Sequence, residues 1–112
     1  MPLRCDEYNR VCVMGIDGDL SGDNVAALRT NAEERIDAKQ VADFVVDLEH
    51  CSFIDSEGLE ALLWLKRRCE DLFGQIKLIG LDDNCRKILE ITRLEPRFEC
   101  QKDLAAALKM MR

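Results

Sequence analysis

At 112 residues, 47% hydrophobic and 34% charged, the chain has the size and balance of one compact domain spanning 1–112, with one core rather than two. A net charge of −6 argues against direct nucleic-acid binding, which needs clustered Lys and Arg to neutralise phosphates. No run of roughly 18 to 20 apolar residues is present to insert into a membrane, and the start, MPLRCDEYNR, lacks the apolar stretch of a secretory signal, so a cytoplasmic location is expected.

The acidity is uneven. Residues 1–56 hold 5 Lys and Arg against 12 Asp and Glu, and residues 57–112 hold 11 against 10. The first half therefore carries either a solvated acidic surface or an acidic face that helps select a partner. The six cysteines, Cys5, Cys12, Cys51, Cys69, Cys85 and Cys100, read as reduced thiols, because a chain of this length builds a core without disulfides. None of their spacings is CxxC and His50 is the sole histidine, so neither a metal site nor a cofactor is expected.

In chain order, Leu3 to Tyr8 is ambiguous, and Asn9-Arg10 reads as a turn before the β-branched strand Val11 to Ile16, so that a hairpin opens the fold. After the loop Gly18-Asp19-Leu20-Ser21-Gly22, Val25, Leu28, Ala32 and Ile36 recur at i, i+3, i+7 and i+11 on one helix face, with Asp23 or Asn24 as the cap. Phe44 to Leu48 is a short apolar run of the kind buried on both faces of a sheet. A helical pattern follows from Ser56 to Phe73, ended by Gly74. Ile76 to Leu81 is another strand, and Asp82 or Asp83 starts a helix carrying Cys85, Ile88, Leu89 and Thr92 that Pro96 forbids from continuing. Arg97 to Cys100 fits an edge strand, and Asp103 caps a last helix with Leu104, Ala107, Leu108 and Met111.

The order β-β-α-β-α-β-α-(β)-α implies an α/β fold, a mostly parallel sheet of 4–5 strands with about 4 helices packed on it. Such sheets carry function beyond the carboxyl ends of their strands, which directs attention to the loop after Leu48. There Asp55-Ser56 stands where a helix begins, and either residue is a good N-cap, since its side-chain oxygen accepts the unpaired amides of the first turn. A serine in that place is also a natural position for a phosphate, which would meet free amides and the positive end of the helix dipole.

The stretch Val45-Val46-Asp47-Leu48, followed after a short loop by Phe53-Ile54-Asp55-Ser56-Glu57-Gly58-Leu59, resembles the signature of STAS domains, a hydrophobic strand and then (I/M)-D-S-S-G-L. Gly18-Asp19-Leu20 and Ile76-Lys77-Leu78-Ile79-Gly80 fall where that family has matching elements, so the resemblance covers essentially the whole chain. It implies an anti-sigma factor antagonist, a regulator of transcription with no catalysis and no cofactor of its own. The unphosphorylated form would bind an anti-sigma factor that is also a serine kinase and so free the sigma factor. Phosphorylation of Ser56 by that kinase would break the complex, and a serine phosphatase would reset it. The partner-binding surface implied comprises Ser21, Asp23, Asp55, Ser56, Glu57, Gly58 and Leu59. Two positions depart from the pattern: Glu57 replaces the second serine, and Ser21 stands where antagonists often carry an aspartate.

Down the helix after Ser56, Gly58, Ala61, Leu62, Leu65, Cys69, Leu72 and Phe73 form one stripe for the sheet at about 100° per residue. Leu63 and Trp64 fall outside it and are either partner contacts beside the switch or covered by neighbouring segments. Lys66, Arg67 and Arg68 read as a solvated face. An enzyme would use Ser56 or Cys51 as nucleophile with His50 as base. No Gly-x-Ser-x-Gly elbow surrounds Ser56, strand alternation sends His50 and Cys51 to opposite faces, and no phosphate-cradling glycine loop is present. The competing reading is a STAS-like adaptor or scaffold subunit of a transporter or sensory complex, working without phosphorylation.

Overall fold

A computed structural model describes residues 3–111. Strand β1 (Leu3–Tyr8) turns back into β2 (Val11–Asp17), and then come α1 (Gly22–Lys39), β3 (Asp43–His50), α2 (Ser56–Asp71), β4 (Ile76–Ile79) and α3 (Asp83–Ile91). A 3-10 turn at Glu95–Arg97, β5 (Glu99–Gln101) and α4 (Leu104–Met110) complete the chain. The sheet order is β1-β2-β3-β4-β5, with β1 antiparallel to β2 and every other pair parallel. The expected α/β architecture, five strands with four helices, is the one observed.

The opening hairpin has a two-residue loop in which both Asn9 (φ 49°) and Arg10 (φ 70°) are left-handed, the geometry that matches the twist of the flanking strands. Alternation along the strands then splits the core in two. Cys12, Met14, Ile16, Phe44, Val46, Leu48, Ile76 and Leu78 face α1, α2 and α3, whose buried stripes include Leu28, Ile36, Leu62, Leu65, Cys85 and Leu89. Val11, Val13, Val45 and Ile79 face the other way and are met by Ala107 of α4. Lys77 shares that second face, fully buried except where its ammonium pairs with Glu99 of the adjacent strand.

Several boundaries differ from the sequence reading, each for a local reason. The first long helix starts at Gly22 after Ser21, and neither Asp23 nor Asn24 caps it. Asn24 instead spends its amide on the loop before the helix, donating to the Asp19 carbonyl at 2.7 Å. Strand β3 runs on to His50, because Asp17 pairs with His50 beyond an irregularity in β2. Helix α2 ends at Asp71, and Phe73 rather than Gly74 takes the left-handed turn (φ 61°) that closes it. Gly74 answers a different need, since a Cβ there would lie 2.0 Å from the Ala42 carbonyl oxygen. Strand β4 stops at Ile79, where left-handed Gly80 turns the chain, and α3 has already ended at Ile91 before Pro96 enters the 3-10 turn. Among the described residues no helix is long and apolar enough to cross a membrane. All six cysteines are free thiols.

Candidate functional site

The site is built where β2, β3 and β4 end. Beyond His50 the chain makes a tight turn, with the Cys51 amide donating to the Leu48 carbonyl at 3.0 Å, and then runs alongside the loop that leaves β2. Leu20 and Ile54 form an isolated parallel bridge. The Gly18 amide donates to His50 O (3.0 Å), the Leu20 amide to Phe53 O (2.9 Å) and the Asp55 amide to Leu20 O (3.3 Å). The two loops are thereby laced together as a short extension of the sheet, which keeps buried backbone groups paired. From the other side, the thiol of Cys85 in the first turn of α3 donates to the Cys51 carbonyl at 3.3 Å. The Cys51 thiol itself donates to Phe53 O, also at 3.3 Å.

This bracing delivers Asp55 to the N-cap of α2 in an extended conformation, and its carboxylate accepts the Gly58 amide at 2.7 Å. Of the two candidate caps, Asp55 has the role. Ser56 is then the first residue of the helix proper, its hydroxyl exposed, beside the first-turn amides that lack an intrahelical acceptor. Gly58 explains the spacing of the motif: a Cβ on it would fall 2.4 Å from the Leu20 carbonyl oxygen, so only glycine lets α2 start this close to the neighbouring loop. Leu59 follows into the core.

The predicted residues therefore separate by role. Asp55, Ser56 and Glu57 share the rim with Ser21 and Asp23, which the Leu20–Ile54 bridge brings to the same end of the sheet. Ser21 is half-buried and makes no side-chain cap bond, while Asp23, Ser56 and Glu57 are exposed. Gly58 and Leu59 face inward. Asp19, Asp23, Glu57 and Glu60 leave the rim acidic and solvated. Leu63 and Trp64 lie about two turns down the helix, half-buried and packed against the main core. The Trp64 ring carries Arg29 of α1 at 5.1 Å and Arg68 at 5.6 Å. Arg68 continues to Asp37 at 3.0 Å, so the basic run is not simply a solvated face: Arg68 ties α2 to α1, Lys66 pairs with Glu70 at 2.5 Å, and of the three only Arg67 is exposed.

The structure also adds Phe53, 49% exposed beside Ser56, which the sequence reading did not single out. Its position one residue before buried Ile54 in an extended segment is the signal that would have found it, since alternation turns it outward. The nucleophile reading loses its geometry at Cys51. His50 is exposed and contacts Glu49 at 3.3 Å, while Cys51 is buried with its thiol committed to Phe53 O. Cys85 is pushed well above the ordinary thiol range by its hydrogen bond with Cys51 and by burial.

Residues 3–107, from β1 to the buried alanine of α4, match the family model for the STAS domain. The chain belongs to the STAS domain family. No curated protein matches it in sequence. Among solved structures, a Thermotoga maritima protein provisionally described as an anti-sigma factor antagonist superposes with a TM-score of 0.85 at 15% identity, covering 98% of this chain and 94% of that one. The phosphorylated form of the Bacillus cell-fate determinant SpoIIAA gives 0.77 at 22% identity, covering 98% and 99%. A sulfate transporter family protein from Wolinella succinogenes gives 0.69 at 18% identity, covering 85% and 80%. In this STAS domain the D-S-x-G-L motif thus reads physically as cap, exposed hydroxyl, acidic rim, close-approach glycine and core anchor.

Proposed function

We propose that this STAS domain is a cytoplasmic binding module, the whole chain working as one domain, that acts as an anti-sigma factor antagonist switched by phosphorylation of Ser56. The carrying observation is the exposed Ser56 hydroxyl on the first residue of a helix whose start is braced by the Leu20 bridge and the Asp55 cap. A kinase reaches that hydroxyl without unfolding anything, and the rim around it keeps one shape in both states. Members of the same fold include SpoIIAA in a phosphorylated form, which supports the fold as a carrier of such a group.

The switch is electrostatic. A phosphate adds about −1.5 to −2 charges next to Asp55, Glu57 and Glu60, and crowding like charges in a desolvated interface costs several kcal/mol. The unphosphorylated rim, with Ser21, Asp23, Asp55, Ser56, Glu57 and apolar Phe53, is the surface offered to an anti-sigma factor with serine kinase activity. Gly58 and Leu59 hold that surface in place from within, Leu63 and Trp64 extend it down α2, and a serine phosphatase restores it. The domain does no chemistry of its own in this scheme.

Glu57 favours a second reading, because it places a fixed negative charge where the motif usually has serine, and a transporter family protein shares the fold. That reading is a phosphorylation-independent adaptor. Peptide mapping by mass spectrometry across Ile54 to Lys66, on protein from its native host under varied conditions, separates the two. The switch predicts a phosphate on Ser56 and at least a tenfold loss of anti-sigma factor affinity for Ser56→Asp. A serine never modified, together with unchanged affinity of the variant, leaves the adaptor as the function.

A further inference from the structure

The pole opposite Ser56, where the strands begin and the helices end, carries the most exposed large hydrophobic side chain among the described residues. Phe73 is 100% exposed, and Leu72 beside it is 44% exposed. Phe73 also sits at a backbone position that a bulky residue pays to occupy. Its amide donates to Glu70 O at 3.0 Å and the next amide, Gly74, to Cys69 O at 2.7 Å, the paired closure that ends a helix through one left-handed residue. Glycine is favoured there because it has no Cβ to strain, yet the position holds phenylalanine at φ 61° with no contact for its ring.

Next to this ring lies a groove of about 610 Å³ between the ends of α1 and α2. Ile36, Ala42 and Leu72 supply its apolar surface, and Asp37, Gln40, Arg68 and Asp71 its polar walls. A protruding aromatic ring and a groove with an apolar strip at Ile36, Ala42 and Leu72 on the same patch are self-complementary, the property an interface across a two-fold axis requires. The patch also carries unpaired charges of both signs. Lys39 closes α1, one residue before Gln40 of the groove lining, and Asp71 closes α2 and lines the groove; both are exposed, and neither forms an ion pair among the described residues.

We infer that this pole is a homodimer interface in which Phe73 of each copy enters the Ile36–Ala42–Leu72 groove of the other, with Lys39 of one copy set against Asp71 of its partner. Aromatic anchors in such pockets dominate interface energetics. The two Ser56 rims then point away from the axis, so that the dimer presents two independent binding poles, whatever the function of those rims.

Sedimentation velocity on the full chain over a concentration series tests this directly. The wild-type chain is expected to pass from monomer to dimer. Phe73→Gly removes the anchor while relaxing the left-handed backbone, so it lowers the association constant at least tenfold with a thermal midpoint equal to or above that of wild type. Asp71→Lys weakens association, and adding Lys39→Asp to it restores the dimer by exchanging the charges. A wild-type chain that stays monomeric up to about millimolar concentration, the weak end of specific affinities, overturns the inference and leaves Phe73 to a different protein. A Phe73→Gly chain that dimerises as wild type does overturns it equally.

Discussion

Gly58 is the residue on which sequence motif, local geometry and the shape of the rim converge. Inside an exposed helix, replacing glycine by alanine is stabilising by roughly 0.5–1 kcal/mol, because glycine loses the most backbone freedom on folding. Here the new methyl group would stand 2.4 Å from the Leu20 carbonyl oxygen and 2.9 Å from Ile54 Cγ2. Neither neighbour yields cheaply, since Leu20 O already accepts the Asp55 amide and the two residues form the bridge between the loops. Gly58→Ala is therefore expected to reverse the usual sign and destabilise by about 1–3 kcal/mol, the range for overpacking. Urea denaturation measures it. A variant at least as stable as wild type would show that the loop containing Leu20 moves freely, and the rim would then lack the fixed shape ascribed to it.

The start and end of α2 show what an element's sequence does and does not reveal. Sequence left Asp55 and Ser56 both open as caps, and the structure assigns the bond to Asp55 through the Gly58 amide. Asp55→Ala should cost about 1 kcal/mol of stability, whereas Asp55→Asn, an equally good cap, should cost little. Thermal melts of the pair check this, and equal losses for both would mean that the carboxylate charge, rather than the cap bond, is what matters. The end of the same helix was misread because the preference for glycine at the closing turn pointed to Gly74, when Gly74 is required by the approach of Ala42 and Phe73 takes the turn. Periodicity was enough to place α1 and the buried stripe of α2 from Gly58 to Cys69, and β-branched runs located β2 and β3, because those patterns are local; the stripe's expected continuation to Leu72 and Phe73 fails, since both lie past the helix end and are exposed. The bracing of the site was not legible: nothing near Cys51 in sequence announces Cys85, 34 residues away, or the pairing of Leu20 with Ile54. The covering of Trp64 likewise depends on α1, through Arg29 and the ion pairs of Arg68.

At the scale of the whole molecule the sheet is dressed unequally. One face is packed by α1, α2 and α3 along continuous buried stripes, and the other by α4, a helix of 7 residues whose sole fully buried side chain is Ala107. An isolated helix of that length is not stable in water, so α4 depends on its Asp103 cap and on the packing of Leu104, Ala107 and Leu108 against the cluster of Val11, Val13, Val45 and Ile79. Its amides should consequently exchange with solvent through a local opening of lower free energy than the global unfolding that exposes β3. Native-state hydrogen exchange in rising urea would show this as α4 amides, including Ala107, exchanging at least roughly tenfold faster than those of Val45 and Val46, a gap of about 1.4 kcal/mol. Merging of the two sets into one isotherm at low urea would instead make the α4 face part of the main cooperative unit. The distinction matters for the Ser56 rim because the buried residues that brace it, Leu20, Cys51, Ile54 and Cys85, belong to the heavily packed face. A chain that opens at α4 first keeps the braced Ser56 rim intact while it does so.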